Sequence, residues 1–176
     1  MGQAKLRKSE IAALKAADGM PSAQVLDEVA EVIRQFVATA DVRTGGKCFE
    51  IADLAAEELS RRGFRCSKVS GNAAFALGSH MNDTLIWDTR ARKDTIGGDV
   101  EAHCWLQTKT HIIDFSPLGF RQLLDFMCAK DGYVVERDWP TAYNVIPLGG
   151  AGSDAKFIAG RHQYGDFYYQ AKVRFV

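Results

Sequence analysis

A chain of 176 residues with 22 Lys and Arg against 22 Asp and Glu, 47% apolar and 25% charged, has the size and balance of one folded domain. There is no cationic excess to neutralise phosphates, so neither general nucleic-acid binding nor docking on an anionic membrane is expected. A chain of this length buries enough apolar surface to fold without disulfides or metal.

Residues 1–20 are rich in Ala and Lys, with Leu6, Ile11 and Leu14 loosely spaced, and predict a marginal helix ending at Asp18-Gly19. No apolar segment follows the charged start, so it does not read as a signal peptide, and Leu6 breaks the myristoylation pattern. No apolar run approaches the roughly 20 residues of a membrane span, and a cytoplasmic domain is expected. Pro21-Ser22 opens a helix on which Val25, Leu26, Val29, Val32, Ile33, Phe36 and Val37 follow the amphipathic spacing. Asp27 and Glu28 are placed near its positive end. After a polar loop over Asp41–Gly46, Cys48, Ile51, Ala52, Ala55 and Leu59 share one face of a second helix, closed by Arg61-Arg62-Gly63.

From there the chain turns to short β-branched and aromatic runs. Strands are predicted at Phe64–Val69, Thr84–Trp87, Ala102–Gln107, Ile112–Phe115, Tyr143–Ile146 and Phe167–Phe175. In the last of these, Phe167, Tyr169, Ala171, Val173 and Phe175 alternate with polar or Tyr neighbours, the pattern of a half-buried strand. Ser116 as N-cap and Pro117 at the first position predict one more helix through Leu123, Leu124, Phe126 and Met127, ending near Asp131-Gly132. Gly149–Asp154 reads as a loop. Helices first and strands afterwards predict an α+β domain over residues 1–176, with N-terminal helices packed on an antiparallel β-sheet.

The four cysteines, Cys48, Cys66, Cys104 and Cys128, form no CxxC pair, which suits a reducing compartment better than a disulfide framework. Cys48, His103, Cys104 and His111 are zinc-ligand types without zinc-site spacing, so no metal is expected. Neither GxxxxGK[ST] nor GxGxxG occurs, and no cofactor is expected.

Cys48 follows Gly45-Gly46-Lys47 at the head of its helix. Unsatisfied N–H groups and the positive dipole end there favour a thiolate. The other reading of the same residue is a buried thiol on the apolar face with Ile51 and Ala55. A second constellation lies in Glu101–Gln107 and Thr110–Phe115, the arms of a predicted hairpin. With Thr108-Lys109 as a two-residue turn, Gln107 pairs with Thr110, Trp105 with Ile112 and His103 with Asp114, on one face. A carboxylate there orients the ring and stabilises its imidazolium, or serves as a structural hydrogen bond between strands. His111 is expected on the opposite face, and His80 and His162 in polar loops.

A helix-capping Cys, then a strand His, then a strand Asp, in that order, resembles the papain-like and transglutaminase-like cysteine enzymes. His103-Cys104-Trp105 resembles the His-x-Trp strand of transglutaminase-like domains, and Ile112–Ser116 their Asp strand. Gly45-Gly46-Lys47-Cys48-Phe49-Glu50 is similar to the Gly-Gly-x-Cys-x-Glu segment of arylamine N-acetyltransferases. The resemblance implies a cysteine-proteinase-like core, a place in an uncharacterised bacterial family of that fold, and a triad of Cys48 as nucleophile, His103 as base and Asp114 as orienter. It implies a thiol hydrolase, peptidase or amidase, working through a thioester on a small amide, ester or peptide. An acyltransferase of the same chemistry, or a binding domain retaining the fold, is the alternative. Trp105, Trp87, Asn72 and Asn82 are the candidate substrate-binding residues, and the segment Gly71–Gly98 the candidate rim. His103 follows Cys48 by only 55 residues, against roughly 130–150 in papain-like proteases. No Gln precedes Cys48 to serve the oxyanion; the Cys48 backbone N–H is one candidate donor, and the second is unassigned.

Overall fold

In the computed structural model of the protein, residues 19–40, 47–76, 84–87, 102–130, 142–148 and 167–175 are described. The N-terminal helix expected over residues 1–20, apart from its end at Gly19 and Met20, the loops at 41–46 and 149–154, His80, Asn82 and His162 lie outside them. Helix α1 spans Ala23–Thr39, and the Ser22 hydroxyl accepts from the Val25 N–H as its N-cap. Asp27 and Glu28 fall beyond the first turn, which carries no acidic residue. Leu26, Val29, Ala30, Ile33 and Val37 are buried; Val25, Val32 and Phe36 flank that stripe, half-buried.

Helix α2 spans Cys48–Arg61 and buries Cys48, Ile51, Ala52, Ala55 and Leu59, the face its spacing predicts. It ends in a Schellman motif: the Gly63 N–H donates to Ser60 O and the Phe64 N–H to Leu59 O. Gly63 sits at φ 85°, where a Cβ is unfavourable. Gly63→Ala is therefore expected to lower the unfolding free energy by about 1 kcal/mol, read as an earlier urea midpoint with an unchanged slope. Two arginines in the last turn hold Glu58, which is buried; Arg62 also reaches Glu28 on α1 at 3.4 Å, tying the helices together.

Six strands form one sheet: β1 (Ser67–Ala76), β2 (Thr84–Trp87), β3 (His103–Gln107), β4 (His111–Asp114), β5 (Asn144–Pro147) and β6 (Phe167–Phe175). All pairings among the described strands are antiparallel. The protein is thus an α+β fold with helices on an antiparallel sheet, as the element order predicts. Strand β1 is its axis. β6 lies along one edge of it, while β3 (opposite Ser67–Gly71) and β2 (opposite Ala73–Ala76) lie end to end along the other. The expected strand Phe64–Val69 is shifted: β1 starts at Ser67 and runs on through Gly71-Asn72-Ala73-Ala74, residues of low strand propensity held extended by partners on both edges. Of the expected rim segment Gly71–Gly98, residues 71–76 and 84–87 are accordingly strand, in β1 and β2, and the rest lies outside the described residues.

Alternation along the strands divides the core. Cys104, Leu106 and Ile113 join α1 and α2 in one cluster, while Ala73, Phe75 and Trp87 form a second. The chain from Phe115 to Leu124 links them. A 3-10 helix over Ser116–Gly119 leads into α3 (Phe120–Lys130), with Leu118 in the first cluster and Phe120 and Leu124 in the second. Ser116 is not the N-cap of this segment; Phe115 is. The Asp114 carboxylate takes over the capping task by accepting from the Ser116 N–H at 2.8 Å.

The β3–β4 hairpin departs from the expected register. Leu106 pairs with Ile113 and Gln107 with Ile112, and the Thr108 N–H donates to His111 O, so the turn is Lys109-Thr110. The buried Thr108 hydroxyl fixes that turn by accepting from the N–H groups of Thr110 and His111. Continued along the strands, this register sets Trp105, not His103, opposite Asp114. His111 pairs with Pro147 on β5.

Candidate active site

A shift of two residues keeps every side chain on its face, because strands repeat every two. His103 and Asp114 are therefore diagonal neighbours on one face rather than directly opposed. The longer diagonal reach is spanned by the side chains: His103 Nε2 and Asp114 Oδ2 meet at 2.7 Å, both groups buried. Asp114 Oδ2 also accepts from the Tyr169 hydroxyl at 2.8 Å, and Oδ1 from the Ser116 N–H. The Asn144 amide donates to the Tyr169 oxygen at 3.3 Å. The carboxylate is thus held by three donors from three segments.

Burial of the His103 ring disfavours its charge, yet the Asp114 carboxylate, with the adjoining Cys48 thiol, outweighs this and raises its pKa to about 9. Burial likewise pushes the Asp114 carboxyl up, and the imidazolium with its hydrogen bonds holds it below the usual carboxylate range. Burial and the neighbouring carboxylate push the Tyr169 phenol well above its ordinary value, so it remains a donor. The pair is ionised at neutral pH.

Cys48 occupies the first position of α2, and its Sγ lies 3.8 Å from Ala102 O, the residue before His103. Helix α2 packs on β3, which brings its N-terminus to the start of that strand. His103 Nδ1, the nitrogen not used by Asp114, is buried without a hydrogen-bond partner. Cys48 is itself only 4% exposed and belongs to the first core cluster, but it also lines a small pocket with Val37, Trp87 and Ser116. Burial pushes Cys66 up to about 11 and Cys104 up to about 12, so both are protonated near neutral pH.

Aromatic rings enclose the imidazole. Trp87 lies 4.6 Å from it between centroids, Phe75 5.4 Å edge-on and Trp105 6.1 Å stacked. Trp87 reaches it because Gly71 pairs with His103 and Ala73 with Trp87, two residues apart along β1 and on one face. Of the four side chains expected to meet substrate, Trp87 lines the pocket, and Trp105 is buried behind the imidazole, against Tyr169. Asn72 is buried, and strand alternation turns it away from the His103 face. Asn82 lies outside the described residues. Tyr169 and Ser116 are the additions. The alternation of β6 marks Tyr169 as inward-facing, but sequence does not reveal which carboxylate it meets.

Among the described residues, no group of three or more His, Cys, Asp or Glu side chains is placed to hold a metal ion. None of the described helices is long and apolar enough to cross a membrane.

The fold is similar to a solved structure described as "The crystal structure of genomics APC5867", with a TM-score of 0.58 and 21% identity over 86% of this chain. The aligned chain spans 66% of that protein's length, and at this identity the likeness shows the fold alone. A comparison with curated proteins finds no match. Residues 29–133, more than half of the chain and including Cys48, His103 and Asp114, match the family described as "Protein of unknown function (DUF2026)", and the protein belongs to that family.

Proposed function

We propose that the protein is a cysteine-nucleophile hydrolase of the papain-like and transglutaminase-like kind, a peptidase or amidase with a Cys48–His103–Asp114 triad. The observation that carries this reading is a buried His103–Asp114 ion pair whose other ring nitrogen, His103 Nδ1, has no hydrogen-bond partner, with the Cys48 thiol adjoining the ring. A purely structural His–Asp bond gives no reason for a thiol at a helix N-terminus and pocket wall to adjoin the ring.

In this reading the Cys48 thiol proton rests on His103, the Cys48 sulfur attacks a carbonyl carbon, and the Sγ–C bond forms as the oxygen takes the electron pair. Collapse of that adduct breaks the bond to the leaving amine or alcohol, which takes its proton from His103. Water then gives a proton to His103 and attacks the thioester. The C–S bond breaks, releasing the carboxylic acid and restoring the sulfur. Asp114 leaves Nδ1 facing the thiol and offsets the ring's charge.

A specific observation favours a second reading. Cys48 is as buried as its apolar neighbours, which fits a structural thiol in a binding domain. Alkylation with iodoacetamide, followed cysteine by cysteine by mass spectrometry, separates the two. The enzyme reading expects Cys48 to react at about pH 6, where an ordinary thiol of pKa about 8.5 is nearly inert, and His103→Ala to abolish that reactivity. If Cys48 stays unmodified until the pH at which Cys66 and Cys104 react, it is not a nucleophile.

A further inference from the structure

The pocket beside Cys48 has a composition that the triad alone does not explain. Val37, Ile51, Trp87, Phe120 and Leu123 make its wall apolar. Set into that wall is Ser116, 4% exposed, whose Oγ has no hydrogen-bond partner. Leaving a buried hydroxyl unpaired costs about 1–3 kcal/mol, so its place in a pocket wall suits a ligand that brings a polar atom. Its own N–H is fixed on Asp114 Oδ1, which ties the hydroxyl to the carboxylate that orients His103. Gly119 lies one turn of the 3-10 helix further on. Gly119 also lines the pocket, and a Cβ there would meet Val37 and Ile51 at 3.5–3.6 Å, in ordinary contact, so a larger side chain at 119 would press on that wall.

We infer that this pocket is the acyl site of the proposed hydrolase: a short apolar acyl chain lies against Val37, Ile51 and Trp87, and the Ser116 hydroxyl donates to its carbonyl oxygen. The inference rests on the nucleophile reading and adds the substrate class and the missing oxyanion donor. As the tetrahedral adduct forms on Cys48, negative charge grows on that oxygen. The Ser116 O–H and the Cys48 N–H, which has no acceptor within its helix, then bind it more strongly than in the ground state.

The test uses the full chain with p-nitrophenyl acetate, butyrate and decanoate, reading p-nitrophenolate release and the acyl adduct on Cys48 by peptide mass spectrometry. The Cys48 sulfur displaces p-nitrophenolate, which leaves with the electron pair, and water releases the fatty acid. Butyrate is expected to exceed acetate in kcat/KM by about tenfold, from two buried methylenes, and decanoate to be poor. Gly119→Leu should erase the butyrate preference, bringing the butyrate-to-acetate ratio of kcat/KM to about one or below, with Gly119→Ala as the milder variant should the first not fold. Ser116→Ala should lower kcat about 100-fold with KM little changed, and Ser116→Thr, which keeps the hydroxyl, should restore most of the rate. Equal rates in Ser116→Ala and wild type, or an unaltered chain-length profile in the Gly119 variants, overturn the acyl site while an adduct on Cys48 still upholds the nucleophile. No adduct with any ester defeats both.

Discussion

Asp114→Asn is expected to destabilise the protein by about 3–5 kcal/mol near pH 6, because it leaves an imidazolium buried without its counter-charge. The size of the loss should depend on pH in a defined way. In the wild type the His103 pKa is raised from 6.5 to about 9, so its contribution is complete below 6.5 and is lost as pH rises through about 9. The Asp114 pKa is lowered from 3.8, so its contribution is present above 3.8 and is lost as the carboxylate takes up protons at lower pH. Between these limits the pair stabilises the fold fully. In the Asn variant burial acts on His103 against the Cys48 thiol only and favours the neutral ring, so that variant should gain stability from pH 5 to 7 while the wild type does not. Urea unfolding at pH 5, 7 and 9.5 measures this: the gap between the two proteins should be widest at pH 5 and narrowest at 9.5. A gap independent of pH would mean that His103 and Asp114 share a neutral hydrogen bond.

Cys48→Ala should remove hydrolysis altogether, by about 10³-fold or more, and cost only about 1 kcal/mol of stability, an average figure for a single substitution. The two quantities together discriminate, since each alone is ambiguous. A several-kcal/mol loss of stability with unchanged ester hydrolysis would identify Cys48 as a packing residue and place any activity elsewhere. Activity is read as p-nitrophenyl butyrate turnover, and stability as the urea midpoint. Cys48→Ser adds a further distinction. It keeps a hydrogen-bonding group beside His103 but supplies a far weaker nucleophile, so it should be as inactive as the Ala variant.

The site was legible in sequence where one periodicity governed it. The apolar face of α2 carries Cys48 to the sheet because Cys48, Ile51, Ala55 and Leu59 follow helical spacing, and burial agrees residue by residue. His103 and Asp114 were expected on one face, and that survived an error of two residues in the register, since parity and not exact pairing decides the face. The turn itself escaped because Thr108 acts through its hydroxyl, a local bond that composition does not show. Strand β1 was misplaced because its second half has no β-branched run; pairing on two edges holds it. Ser116 before Pro117 reads as a helix cap by every local rule, but the carboxylate two residues earlier competes for the same N–H and wins. Tyr169 and Asn144 meet Asp114 only through the fold, from 55 and 30 residues away in the chain.

The end-to-end placement of β2 and β3 along one edge of β1 has a consequence for how this architecture can vary. Trp87 and His103 are set side by side by their separate ladders to Ala73 and Gly71, not by the chain that joins them. Insertions or deletions between the two strands therefore need not move the ring that covers His103, so long as both ladders to β1 persist. A strand used as a ruler keeps side chains from separate parts of the chain in register, whatever the length of chain between them.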